Sequence, residues 1–160
     1  MYLQYEDYVN LYDPIDKKIF NRLAYDACRY IDRLTTGIDG IKKLKVAFPV
    51  DEDSVSAIKH CAAKIVNVLF QIQEADFSAS LGRSYEKTEN GYRGRVVSSV
   101  TAGNESISYS AGALTSSIDA AISDPTAREA LIANTIRQYL SGVTDANGVN
   151  LLYMGVYPRV

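Results

Sequence analysis

Apolar side chains recur every three or four residues over two long stretches of this chain, and that period limits the fold more than any other feature of the sequence. The first stretch runs through Ile15, Ile19, Leu23, Ala27, Ile31 and Leu34, with Phe20 and Ala24 widening the stripe. The second runs through Val55, Ile58, Ala62, Ile65, Leu69 and Ile72, extended by Cys61, Val68 and Phe77. A strand repeats every two residues and a helix every 3.6, so both stretches predict amphipathic helices that need a partner to cover them. Asp13-Pro14 predicts the start of the first, by a cap and a first-turn proline, and Gly37 its end by a left-handed residue. Asp51, Glu52, Asp53 and Ser54 supply a cap and favourable negative charge for the second.

Around these stripes the smaller signals fall into place. Tyr2, Tyr5, Tyr8 and Tyr12 are spaced to share one face of a short N-terminal helix. Ile38 to Pro49 reads as a loop with a turn of helix near Ile41 to Lys45. Leu114, Ile118, Ala121 and Ile122 mark a short helix, and Asp124-Pro125 caps and opens another whose stripe is Leu131, Ile132, Thr135, Ile136, Tyr139 and Leu140, ending at Gly142. Between Ser78 and Ser110 the character changes. Gly82, Gly91, Gly94 and Gly103 discourage helix there, whereas Val96, Val97, Val100, Thr101, Ile107 and Tyr109 favour strand. A hairpin of Arg95–Thr101 with Glu105–Ser110 is expected, turning at Ala102-Gly103-Asn104. Asp145-Ala146-Asn147-Gly148 is a turn signal, and the apolar tail Leu151-Leu152-Tyr153 beyond it has no helical period.

The fold expected is therefore mainly α: a small bundle of two long and two or three shorter helices in one domain. Its helical core covers about 1–78 and 112–142, with a β-hairpin insertion at about 92–111 and an extended C-terminal arm at about 143–160. At 160 residues one core of ordinary size can form without disulfides or a structural metal. Cys28 and Cys61 lie in helical apolar patterns without a C-x-x-C, which marks them as reduced packing residues. A formal charge of −2 and a pI near 5.4 create no global field for nucleic acid or an anionic membrane. No uninterrupted apolar run approaches the roughly 18 residues of a membrane span, and the first residues lack the pattern of a signal peptide.

Catalytic constellations are not legible. His60, the sole histidine, is followed by Cys61, but adjacent helical side chains point about 100° apart and do not share a proton easily. Asp51-Glu52-Asp53 is explained by capping, and Asp145 to Gly148 lacks calcium-loop spacing. Neither glycine-rich nucleotide cradle is present. No enzyme activity, cofactor or metal is expected. A nucleic-acid module is the alternative, because Arg83, Lys87, Arg93 and Arg95 alternate with Tyr85 and Tyr92, a pattern able to track a backbone and stack bases. Glu86 and Glu89 interrupt it, as in a solvated loop.

Taken in order, several pieces resemble the head-to-tail connector, or head-completion, proteins of tailed bacteriophages and prophages of Gram-positive bacteria. They are Tyr5-Glu6-Asp7-Tyr8, the run from Phe20 to Thr35, Val55 to Ala62, the extended stretches around Val97 and from Glu105 to Ser110, Tyr139 to Gly142, and Leu151 to Val156. The resemblance spans nearly the whole chain and is weakest from Ile38 to Phe48. It implies a non-enzymatic virion protein, made in the bacterial cytoplasm, that forms a usually twelve-fold ring under the portal protein. Such a ring extends the channel through which DNA passes as cargo and docks a tail-side connector or stopper, with no membrane involved. Partner contacts are expected from the hairpin, at Arg93, Arg95, Val97, Ile107 and Tyr109. The arm is expected to add Leu151, Leu152, Tyr153, Met154, Val156 and Tyr157, leaving the helices intact if the chain is cut after Gly148; the alternative is that the arm folds back on its own helices and the cut chain unfolds.

Changing Arg83, Lys87, Arg93 and Arg95 together to serine is expected to alter DNA retention only weakly. Steeply salt-dependent DNA binding by the unaltered protein, abolished by that change, would favour the nucleic-acid alternative.

Overall fold

Asp16, rather than Asp13, starts the first long helix. The computed structural model describes residues 1–80, 85–88, 91–94, 99–102, 105–108 and 117–158. Among them are six helices: α1 (Tyr5–Val9), α2 (Lys17–Thr35), α3 (Lys43–Val46), α4 (Glu52–Ser80), α5 (Ser117–Ser123) and α6 (Pro125–Leu140). The Asp16 carboxylate accepts the amides of Lys18 at 2.8 Å and Ile19 at 3.2 Å, which satisfies two of the donors a helix start leaves open. Asp13 lies three residues too early to reach them. The other end also differs from expectation. Thr36 leaves the helix in an extended conformation, and Gly37 is not among the glycines with positive φ. A Cβ at Gly37 would sit 2.8 Å from the Gly155 carbonyl oxygen. Glycine is needed here for close approach of the C-terminal segment, not for a left-handed cap.

The second stripe forms α4, which Asp51 caps by accepting the Ser54 amide at 2.8 Å. Hydrogen bonds from the Ser54 hydroxyl and amide hold the Asp51 carboxyl below its ordinary range. Ile58, Cys61, Ala62, Ala63, Ile65, Val66, Val68 and Ile72 are all buried. Consecutive positions diverge by about 100°, so burial of 61, 62 and 63 together means this helix is covered around much more than one stripe. Ala63 and Val66 were not in the predicted stripe, and Phe77, which was, is 61% exposed. Helices α2, α6, α5 and α1 all pack on α4. By length and composition alone Glu52–Phe77 would also suit a membrane span. Its place at the centre of the bundle accounts for that apolarity.

Asp124 caps α6 through the Thr126 amide at 2.8 Å, with Pro125 in the first turn as expected. Ile132, Thr135, Ile136 and Leu140 are its buried residues, and Gly142 follows at φ +79°, the left-handed conformation glycine adopts without steric cost. Helix α1 closes the other side. Tyr5 meets Phe20 edge-on at 5.2 Å, Tyr8 meets Phe20 at 5.5 Å, and Lys59 of α4 bonds the Asp7 carboxylate at 3.1 Å. Burial pushes the Tyr8 phenol up to about 12. It also raises Tyr2, whose hydroxyl donates to Asp32. Both cysteines are free, Cys61 buried and Cys28 half-buried.

The chain is thus mainly helical, and every described core residue lies on a helix except Leu3, before α1, and Leu151, in the segment after α6. Between α4 and α5 the described residues are four short extended segments, 85–88, 91–94, 99–102 and 105–108. The flanks and turn of the expected hairpin, at 95–98, 103–104 and 109–110, lie outside the described residues. Leu114, expected in the short helix, lies outside them too.

The N-terminal tyrosines set an alkaline limit. A phenol whose folded pKa is raised contributes stability that is complete below its unfolded pKa near 10 and is lost as pH rises through the folded value. For Tyr8 that window runs from about 10 to about 12. The urea midpoint is expected to fall across it, with part of the phenolate absorbance appearing only as the chain unfolds. A midpoint independent of pH over the window would contradict the buried cluster.

Candidate functional site

The C-terminal segment does not extend from the bundle but is stitched onto it, and a buried lysine makes the stitch. The loop after α2 brings Lys43 into the interior, where it is fully buried. Its ammonium donates to the Leu151 carbonyl at 2.9 Å and also to the Tyr153 carbonyl, while lying 5.9 Å from the Tyr153 ring centroid. Burial lowers the Lys43 pKa, and the charges of Asp145 and Asp39 pull it back up. Two carbonyls of the arm thus supply what water would otherwise give the ammonium.

Three further contacts fix the arm. The buried Asp145 carboxylate accepts the amides of Asn147 and Val149, each at 2.9 Å, and the Tyr157 hydroxyl at 2.6 Å. Asp39 accepts the Tyr157 amide at 2.7 Å. This bond and one from the Ile41 amide depress the Asp39 carboxyl. The Ile38 amide donates to the Met154 carbonyl at 3.1 Å. Asp145-Ala146-Asn147-Gly148 is therefore the turn it was expected to be, with Gly148 at φ +76°, and its aspartate also anchors the tail.

These contacts correct the arm residues one by one. Leu151 and Tyr157 are buried within the subunit and offer no surface to a partner. Leu152 packs half-buried against the core. Tyr153, Met154 and Val156 do face outward, at 51%, 56% and 67% exposure. Arg95, Val97 and Tyr109 lie outside the described residues. Arg93 and Ile107 fall within short extended segments whose side chains are outside the description. Beside the exposed arm residues stands Ile38, and Val46 and Val50 are exposed on the same connection between α2 and α4. One end of the bundle therefore presents an apolar surface assembled from two separate stretches of chain.

A second feature lies on the flank. An open groove of about 820 Å³ runs between α2 and the C-terminal half of α4, reaching Arg128 of α6. Leu23, Leu69 and Ile72 contribute apolar floor. Five cationic side chains, Arg22, Arg29, Arg33, Lys42 and Arg128, line it with three carboxylates, Asp26, Asp32 and Asp76. Arg128 is occupied by the carbonyls of Ala121 at 3.0 Å and Ile122 at 3.2 Å and by Asp76 at 3.8 Å. Arg33 pairs with Glu129 at 3.4 Å on open surface, where such pairs contribute little. Arg22 bonds the neutral Gln73 side chain. Sequence alone does not show that a groove opens beside the α2 cations.

The His60–Cys61 pair has no shared chemistry in this geometry. His60 is exposed and its Nδ1 lies 2.8 Å from the Ser56 carbonyl oxygen, whereas burial pushes the Cys61 thiol up to about 12. Among the described residues no group of three His, Cys, Asp or Glu side chains is placed to hold a metal. Comparison with protein families, with curated proteins and with solved structures gives no match.

The docked arm reverses the expectation for truncation. Cutting after Gly148 removes Leu151 from the core and is expected to cost at least about 2 kcal/mol, since emptying a large buried side chain alone costs about 2–5. Lys43→Met, which keeps the volume but leaves two carbonyls without their donor, is expected to cost about 1–3 kcal/mol. Urea denaturation measures both. A truncated chain that melts like the intact one would show that the arm is not part of the fold.

Proposed function

We propose that this chain is a non-enzymatic structural protein of a tailed phage or prophage of a Gram-positive bacterium. In this reading it is a head-to-tail connector that docks under the portal protein, lengthens the DNA channel and receives a tail-side component. The observation that carries the reading is the apolar end surface of Ile38, Tyr153, Met154 and Val156. Large exposed apolar side chains gathered from two chain segments, on a well-packed helical core, are the mark of a surface that another protein covers. The motif order from the N-terminal tyrosines to the Leu151–Val156 tail supports the same assignment.

In this proposal the docked arm presents Tyr153, Met154 and Val156 to the portal or the tail-side protein. The β-hairpin proposed for about 92–111 adds contacts at Arg93, Arg95, Val97, Ile107 and Tyr109. DNA passes as cargo only, and the slightly acidic chain suits that task because it limits contacts that release counterions and retard the polymer.

Met154→Asp combined with Val156→Asp tests the surface without touching the core. The double variant is expected to keep its helical circular dichroism and melting transition, to bind purified portal about tenfold or more weakly, and to leave DNA-filled capsids without tails. Normal tail joining by this variant, or normal portal binding, would remove the end surface from the assembly.

A further inference from the structure

We propose that the flank groove receives the Val50–Asp53 segment of a second copy of this chain. The groove combines an apolar floor, from Leu23, Leu69 and Ile72, with basic side chains that its own carboxylates do not neutralise. Among the described residues neither Arg29 nor Lys42 has a carboxylate within ion-pair distance. Arg29 is instead held against the Tyr25 ring, 6.0 Å from its centroid.

The chain itself displays the complementary shape. Val50 is 86% exposed, and Glu52 and Asp53 beside it are exposed and make no ion pair among the described residues. An apolar residue followed by two free carboxylates matches an apolar floor rimmed by free cations. The segment is rigid, because Asp51 caps α4 at that point, so little ordering cost accompanies its docking.

The apolar floor on α4 cannot meet that segment within one subunit. Asp53 and Ile72 are nineteen residues apart on the same helix, which fixes them about 29 Å apart along its axis. The contact is therefore between copies and joins unlike surfaces, a head-to-tail association that closes into a ring when its rotation allows. Groove carboxylates such as Asp26 disfavour a polyphosphate backbone, whose charge repeats along its whole length, whereas the apolar floor suits a short protein segment that carries an apolar side chain beside its carboxylates. The contact deepens the connector reading by naming how neighbouring copies meet, and only its closure into a ring rests on that reading.

The test uses two charge-reversed full-length proteins. One carries Glu52→Lys and Asp53→Lys, the other Arg29→Glu and Lys42→Glu, and both are first checked for wild-type circular dichroism and melting. Sedimentation velocity from micromolar to millimolar concentration is expected to show self-association of the wild type that weakens with salt. Each variant alone should associate about tenfold or more weakly. An equimolar mixture should recover the wild-type behaviour, because each variant then meets a complementary partner. A wild type that stays monomeric throughout, variants that associate like it, or a mixture no better than its components would overturn the proposal. Binding of a short DNA duplex that is lost with Arg29→Glu and Lys42→Glu would also overturn it and assign the groove to nucleic acid. Portal binding through Met154 and Val156 is measured separately. Its failure with self-association intact removes the connector reading alone, and the reverse outcome removes only the groove contact.

Discussion

A helix buried around most of its circumference has to be surrounded, and α4 forces that requirement on the rest of the chain. With Cys61, Ala62, Ala63, Ile65 and Val66 all out of water, no single partner helix can cover it. Helix α2 takes one side, α6 and α5 another, and the short α1 with its tyrosines a third. Small side chains at 61 to 63 let these neighbours come close, and the apolar area removed from water on all sides at once supplies the main driving force for the fold. The N-terminal tyrosines follow from the same need. A helix of five residues has little stability of its own, and it stands because its aromatic rings fill space against Phe20 and because Asp7 reaches Lys59.

What the sequence made legible is what period and capping chemistry control. The stripes of α2 and α6, the cap at Asp124 and the turn at Asp145 are local features, and each appears where local rules place it. The misplacements share a cause. Asp13 and Asp16 are equally good caps by type, and only the direction in which the chain enters the helix decides between them. Gly37 looks like a helix stop but is selected by the backbone of Gly155, more than a hundred residues away. Ala63, Val66 and Phe77 were misjudged because a stripe rule assumes one covered face, and the number of covering helices is a tertiary fact.

The candidate surfaces were less legible for the same reason. Leu151 to Tyr157 has the composition of an interface segment, and composition does not tell whether the covering surface belongs to another chain or to this one. The deciding residue is Lys43. In sequence it is one of three lysines in a short loop, indistinguishable from Lys42 and Lys45, yet it alone turns inward and takes the arm carbonyls. Once the arm is held, its residues divide: Leu151 and Tyr157 turn in, while Tyr153, Met154 and Val156 turn out. A basic face on α2 likewise becomes a groove wall only when α4 lies beside it.

The length of α4 gives the subunit a direction. Twenty-nine residues make a rod of about 43 Å. The loop from Gly37 to Val50, whose buried lysine holds the arm, leads into its first turn, and the segment toward α5 leaves from its last. Whatever binds at one end is therefore held at a set distance from whatever binds at the other, with no hinge along the way. The rise of that single helix sets the distance between its two ends.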